Sequence, residues 1–298
     1  MEEVRIGNML LGGENHPMVI AEIGINHNGN IQTAKDLIKI SFDAGAHAVK
    51  FQKRTVDVVY TAEELAKPRE NPFGTTNGDL KRALEFSFEE YAEIDKYCKE
   101  LGIMWFASCW DEDSVDFMEK FNPVCYKIAS ASLTDDELLK YHRKTRRPII
   151  LSTGMSTMEQ ISHAVEVLGR ENLVIMHCTS VYKTSDTLNK DGDDEGLASI
   201  NLRCMNTLKE KFSIPVGFSS HDAGIIPSYA SVVMGACAVE KHITLNKAMW
   251  GSDQASSIEP RDLINLCRMI REFQLVKGDG VKKVYDEEIP VMKKLRRK

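Results

Sequence analysis

The sequence lacks the features that several functional classes require. No apolar run reaches the roughly 20 residues a membrane span needs, and Met1-Glu2-Glu3-Val4 opens nothing like a secretory leader. There is no surplus of basic charge either: 38 Lys and Arg stand against 44 Asp and Glu, a net charge of −6. That balance argues against a general nucleic-acid or membrane-surface binder, whose footprint is positive. The seven cysteines contain no C-x-x-C pair, are odd in number and lie scattered, several inside apolar runs. Buried thiols in a soluble, cytoplasmic protein are expected, not a disulfide framework. No glycine-rich turn follows the first strand-like run, which weakens the case for a doubly wound dinucleotide-binding sheet.

What is present is one unit repeated eight times: an apolar β-type run, a polar turn and an amphipathic helix. The strand candidates are 17–24, 46–52, 103–108, 124–130, 147–153, 172–179, 214–220 and 237–243. They are near-continuously apolar, as expected for parallel strands covered by helices. Helix starts are marked by capping-box spacings at Ser87 with Glu90, Thr134 with Glu137 and Ser156 with Glu159, and by Pro260 in a first turn. Ile161, Ala164, Val165 and Leu168, and likewise Leu263, Leu266, Cys267 and Ile270, repeat at helical spacing. A chain of 298 residues with 43% hydrophobic content can bury one large core of this kind. The expected fold is α/β, a (β/α)8 barrel over 14–280, with a hairpin at 1–13 beneath it and a basic tail at 281–298. Residues 54–80 read as a long polar loop, long enough to form a lid.

In such a barrel the active site lies at the C-terminal strand ends. Those ends carry Glu22, Lys50, Gln52, Ser108, Lys127, Ser130, Ser152, Thr179, Ser180, Ser219, His221, Lys241 and His242. A ring of lysines and hydroxyls suits a phosphate or carboxylate. His221 and His242 end neighbouring strands and could share a divalent metal; two unrelated core histidines are the plain alternative. His177 reads as a satisfied interior histidine, His27 as a loop cap or a site residue, and Trp110 as a packing residue.

With these motifs placed, the chain resembles the phosphoenolpyruvate-dependent sialic acid (N-acylneuraminate) synthase family. The matching segments are Ala21 to Gly29, Val49-Lys50-Phe51-Gln52, Tyr126 to Ser130, Leu151 to Met155, His177 to Tyr182, Gly217 to His221, Glu240-Lys241-His242 and Gly251-Ser252-Asp253. The resemblance implies condensation of phosphoenolpyruvate with an N-acylmannosamine-type aldose or its phosphate, giving a 2-keto-3-deoxy sugar acid and phosphate. It implies that Lys50, Lys127, Ser130, Ser152, Ser219 and Ser180 hold phosphoenolpyruvate, and that His221 and His242 hold manganese or magnesium. Glu22, Gln52, Tyr182 and Asp253 match the sugar-binding and acid–base group, with Glu22 as the leading general base. It also implies a homodimer.

Three features depart from the family pattern. Ser132 stands where many bacterial members have a carboxylate, and Cys109 where several have threonine. The chain ends where a linker into a small C-terminal antifreeze-like domain is expected, so either a natural short form without that domain or a truncated chain is the reading. Leu84 to Tyr91 and Met249 to Gln254 are closer to relatives that use phosphorylated sugars. Two other functions compete: a Schiff-base aldolase working through Lys127 or Lys241, and a phosphoenolpyruvate-binding subunit without turnover.

Overall fold

The structure is a computed structural model that describes residues 3–180 and 195–297. Eight parallel strands close into a barrel in the order in which they occur along the chain. They are β1 (Met18–Gly24), β2 (Ala48–Lys53), β3 (Met104–Cys109), β4 (Tyr126–Ile128), β5 (Ile149–Ser152), β6 (Leu173–Cys178), β7 (Val216–Ser220) and β8 (Ala238–His242). All eight expected runs are strands, with ends shifted by only one or two residues. The covering helices are α1 (Ile31–Ala44), α2 (Phe88–Leu101), α3 (Glu112–Glu119), α4 (Asp136–Lys144), α5 (Met158–Leu168), α6 (Cys204–Phe212), α7 (Ile226–Val233) and α8 (Pro260–Val276).

Side chains alternate across each strand, and the two phases do different work. One phase faces the helices: Val19, Ala21, Ile23, Val49, Phe51, Leu151, Phe218 and Val239 belong to the core shared with the helix faces. The other phase fills the barrel. It begins apolar, with Met18, Ile20, Ala48, Phe106, Ile150, Val174, Met176 and Ala238 in a second cluster. It ends polar, two residues further along several strands, in Glu22, Lys50, Ser108, Ser152, Cys178 and Glu240, all buried. The same alternation thus builds a dry floor and a charged ceiling inside one barrel.

The floor is sealed by the expected hairpin, Val4–Ile6 paired with Met9–Leu11. Its Val4, Ile6 and Leu11 join the inner cluster. Ile6→Ala removes a fully buried side chain there. It should cost about 2–5 kcal/mol, read as a lower urea midpoint with unchanged slope.

The helix starts correct two expected caps by one residue. Ser87 with Glu90 forms a reciprocal capping box as expected. At α4 the cap is Asp135 rather than Thr134, its side chain accepting from Leu138 N. At α5 it is Thr157 with Gln160 rather than Ser156 with Glu159. In both places two cap-capable residues stand side by side, and the one whose reach fits the first turn takes the role. Pro260 opens α8 as expected.

Residues 54–80 are not the open loop that their polarity implied. They fold as short helices at Val56–Val59 and Ala62–Ala66, a hairpin of Pro68–Asn71 with Gly74–Thr76, and the start of a helix at Asn77–Ala83. Val56, Leu65 and Leu80 supply this insertion with buried contacts. At the other end of the chain, Glu288–Leu295 is helical but buries no side chain. No helix among the described residues is long and apolar enough to cross a membrane.

Candidate active site

Strand register brings the polar ends together. His242 lies opposite Glu22, and Glu22 opposite Lys50, so β8, β1 and β2 present these three side chains in one row. Gln52 lies opposite Ser108, and Ser108 opposite Lys127, one row along. They line a cavity of about 160 Å³ at the C-terminal mouth of the barrel, roughly ten times what a single water needs.

Ten of the twelve expected site residues line this cavity: Glu22, Lys50, Gln52, Lys127, Ser130, Ser152, Ser180, Ser219, His221 and His242. Asp253 lies just outside that lining, its Oδ2 3.9 Å from His242 Nδ1. Tyr182 lies outside the described residues. Thr179 is used elsewhere, its hydroxyl donating to Ser199 O.

Lys241 is a correction. It belongs to the opposite phase of β8, and its ammonium is 3.1 Å from Asp222 Oδ1 and donates to Ser220 Oγ at 3.1 Å. It points away from the cavity, so the ring holds two lysines rather than three. Trp110 is corrected the other way, since it lines the cavity. His177 is the satisfied interior histidine expected, its Nε2 2.7 Å from Ile200 O. His27 caps its loop by accepting from Gly29 N at 3.1 Å and stacks on Phe86. Burial drops its pKa to about 3.

Glu240 was missed. It is 5% exposed and sits between the two lysines, its Oε1 3.6 Å from Lys50 Nζ and 3.7 Å from Lys127 Nζ. Ser219 donates to the same oxygen at 3.3 Å. Its Oε2 is buried with no hydrogen-bond partner among the described residues. The signal was in the sequence: two positions before His242 is the same face of β8.

The two lysines are held differently. Burial works against the charge of Lys50, but Glu22 at 2.9 Å and Glu240 outweigh it, so its pKa is raised. Lys50 also donates to Ser108 Oγ at 3.0 Å. At Lys127, burial wins over the pull of Glu240, and its pKa is lowered. Lys127 donates to Ser152 Oγ at 2.5 Å. An arriving anion therefore gains most beside Lys127. Burial would raise the Glu240 carboxyl, yet the positive charges of Lys127 and Lys50 outweigh it and hold it low.

Two glycines give the side chains room. Gly24 has φ +54°, and a Cβ there would come 3.0 Å from Glu22 Oε1 and 3.1 Å from Gln52 Nε2. A Cβ on Gly154 would fall 2.8 Å from Ser130 Oγ, the hydroxyl that accepts from Gly154 N at 2.9 Å.

His221 and His242 do meet, with ring centroids 5.4 Å apart and planes 43° apart. Burial first, and then the neighbouring His242, depress the His221 pKa to about 3. It is therefore neutral at pH 7 with a lone pair to offer. The Cys178 thiol lies 3.7 Å from His221 Nδ1, and burial raises its pKa. Among the described residues, no three His, Cys, Asp or Glu side chains are arranged to hold a metal ion together. Any cation here would rest on the two imidazoles, with water and substrate completing its sphere.

The model of the NeuB family matches residues 37–282. The chain belongs to the NeuB family. Among its NeuB relatives, the N,N'-diacetyllegionaminic acid synthase of Legionella pneumophila is 34% identical over 94% of this chain and 78% of its own length. The human N-acetylneuraminate-9-phosphate synthase is 33% identical over 96% of this chain and 78% of its own. A crystal structure of the N-acetylneuraminic acid synthetase of Leptospira borgpetersenii, in complex with citrate, superposes with a TM-score of 0.81 at 27% identity. It covers 100% of this chain and 98% of that one. The NeuB assignment and the closed eight-stranded barrel agree with what the sequence implied.

Proposed function

We propose that this NeuB protein condenses phosphoenolpyruvate with an aldose, with C–O cleavage, to give a 2-keto-3-deoxy sugar acid and phosphate. The family makes it an enzyme of the nonulosonic-acid synthase type. The observation that carries the finer reading is the buried ring of Lys50, Lys127 and hydroxyls around one cavity. Two buried cations with serine donors beside them suit a ligand bearing both a carboxylate and a phosphate.

Lys127, with Ser152 bonded to it, and Lys50, with Ser108, would hold the two anionic ends. Ser130 and Ser219 supply further hydroxyls at the same depth. This clamp fixes the enol so that its methylene carbon faces the aldehyde carbon. As that C–C bond forms, the aldehyde oxygen takes up a proton from solvent and positive character grows at the phosphate-bearing carbon. Glu22, held by Gln52 Nε2 at 2.8 Å, would accept the proton of the water that adds there. The tetrahedral carbon then releases phosphate by breaking its C–O bond, the hydroxyl proton leaving with the phosphate, and the ketone remains.

His221 and His242 would hold a divalent cation, manganese or magnesium, which when bound supplies Lewis-acid polarisation of the aldehyde. The fit rests on the proximity of the two rings and the neutrality of His221. We place the enzyme in the cytoplasm, where its seven unpaired cysteines stay reduced, and as the homodimer that the family resemblance implies.

The test is phosphate release across a panel of N-acylated aldoses, each offered free and phosphorylated, with manganese. Release should require phosphoenolpyruvate, an aldose and metal together. No release with any acceptor would sink the reading.

A further inference from the structure

The strand that supplies Lys50 and Gln52 runs on into a charged residue that the mechanism above does not use. The Arg54 side chain is only 10% exposed, rare for arginine. Its guanidinium lies over the Trp110 ring, 4.2 Å from the centroid. One terminal nitrogen donates to Gln52 Oε1, and the other stands 3.7 Å from Glu85 Oε1. Glu85 Oε2 also accepts from Arg54 N at 3.1 Å and from Lys53 Nζ at 3.0 Å. A carboxylate at the end of the insertion thus pins Arg54 by both backbone and side chain.

The consequence falls on Gln52. Its amide has one acceptor oxygen and one donor nitrogen, and the nitrogen donates to Glu22 Oε1 at 2.8 Å. A guanidinium offers donors only and a carboxylate accepts. With the amide turned over, N–H would face N–H at Arg54 and oxygen would face oxygen at Glu22. We propose that Arg54 is a positioning residue: it fixes the Gln52 amide and, through it, Oε1 of the cavity-lining Glu22. The proposal rests on the reading that Glu22 works at the reacting carbon.

Arg54→Leu keeps apolar contact with Trp110 but loses the donor, whereas Arg54→Gln keeps a donor without the charge. Arg54→Leu should lower kcat about tenfold, the lower range for losing a hydrogen-bonded support of a working side chain. The Michaelis constant for phosphoenolpyruvate should stay within about twofold, because Lys50 and Lys127 are untouched. Arg54→Gln should retain most of the activity. In a Gln52→Ala background, Arg54→Leu should change nothing further, since the residue it acts through is gone. Equal losses for Leu and Gln, or the same loss with and without Gln52, would reduce Arg54 to a structural residue and overturn the proposal.

A crystal structure decides the point without turnover. In Arg54→Leu the Gln52 amide should leave Glu22, and a bond still near 2.8 Å would overturn the positioning role even in an active enzyme. If Arg54→Leu does not fold, the Arg54→Gln crystal decides instead: the Gln52–Glu22 bond should persist, and its loss would contradict the proposal. A wild-type enzyme that releases no phosphate counts against the proposed function, and the crystal comparison still settles Arg54.

Discussion

His221→Ala will lower phosphate release by about three orders of magnitude, the several kcal/mol that Lewis-acid assistance is worth. It will also remove bound manganese from the protein's electron paramagnetic resonance spectrum, a readout that needs no turnover. The geometry gives the reason. His221 and His242 are the two imidazoles at the cavity, 5.4 Å apart, and losing one leaves a single nitrogen ligand. Burial keeps His221 neutral, so protonation does not compete with a metal near neutral pH. Near-normal turnover with undiminished manganese binding would refute the metal assignment.

Lys127→Ala will raise the Michaelis constant for phosphoenolpyruvate by about two orders of magnitude, within the range for removing one partner of a buried charge contact. Lys50 has Glu22 at 2.9 Å and Glu240 at 3.6 Å, so its charge is already compensated. Among the described residues Lys127 has one carboxylate at ion-pair distance, Glu240 at 3.7 Å, and its lowered pKa records burial that Glu240 and, more weakly, Glu22 do not offset. The sign with pH follows. In the free enzyme Lys127 loses its proton below the ordinary lysine range, so affinity should weaken as pH rises through that lowered value. A bound anion favours the charged form, so ligand binding there should be accompanied by proton uptake. Unchanged kinetics in Lys127→Ala would remove it from the substrate clamp. The Schiff-base alternative is tested at the same residue: pyruvate with borohydride should leave no adduct, and a covalent adduct at Lys127 would revive it. Lys241, the other lysine considered for that chemistry, is turned away and held by Asp222.

Much of this site was legible before the fold was seen. Strands buried on both faces write themselves as apolar runs, so the places where they turn polar mark the barrel mouth. What strand ends alone do not give is the phase of each residue. Lys241 and His242 are neighbours in sequence, yet the pleat sends one outward and the other into the cavity. Counting by two from His242 would have excluded Lys241 and found Glu240, the carboxylate between the two lysines. The insertion after β2 was less legible because Val56, Leu65 and Leu80 gain their burial from the fold. Its polarity said loop while its contacts made helices. Arg54 belonged to none of the matched segments, and only the Trp110, Gln52 and Glu85 contacts reveal its place.

In the proposed reaction this cavity grips phosphoenolpyruvate by its charged ends while the bond between its C2 carbon and the bridging oxygen breaks. Phosphoenolpyruvate labelled with oxygen-18 at that bridge tests it directly, with the released phosphate read by the isotope shift in phosphorus-31 resonance. The released phosphate is expected to carry the label. Unlabelled phosphate, with the heavy oxygen left on the sugar acid, would mean cleavage at phosphorus and would contradict it.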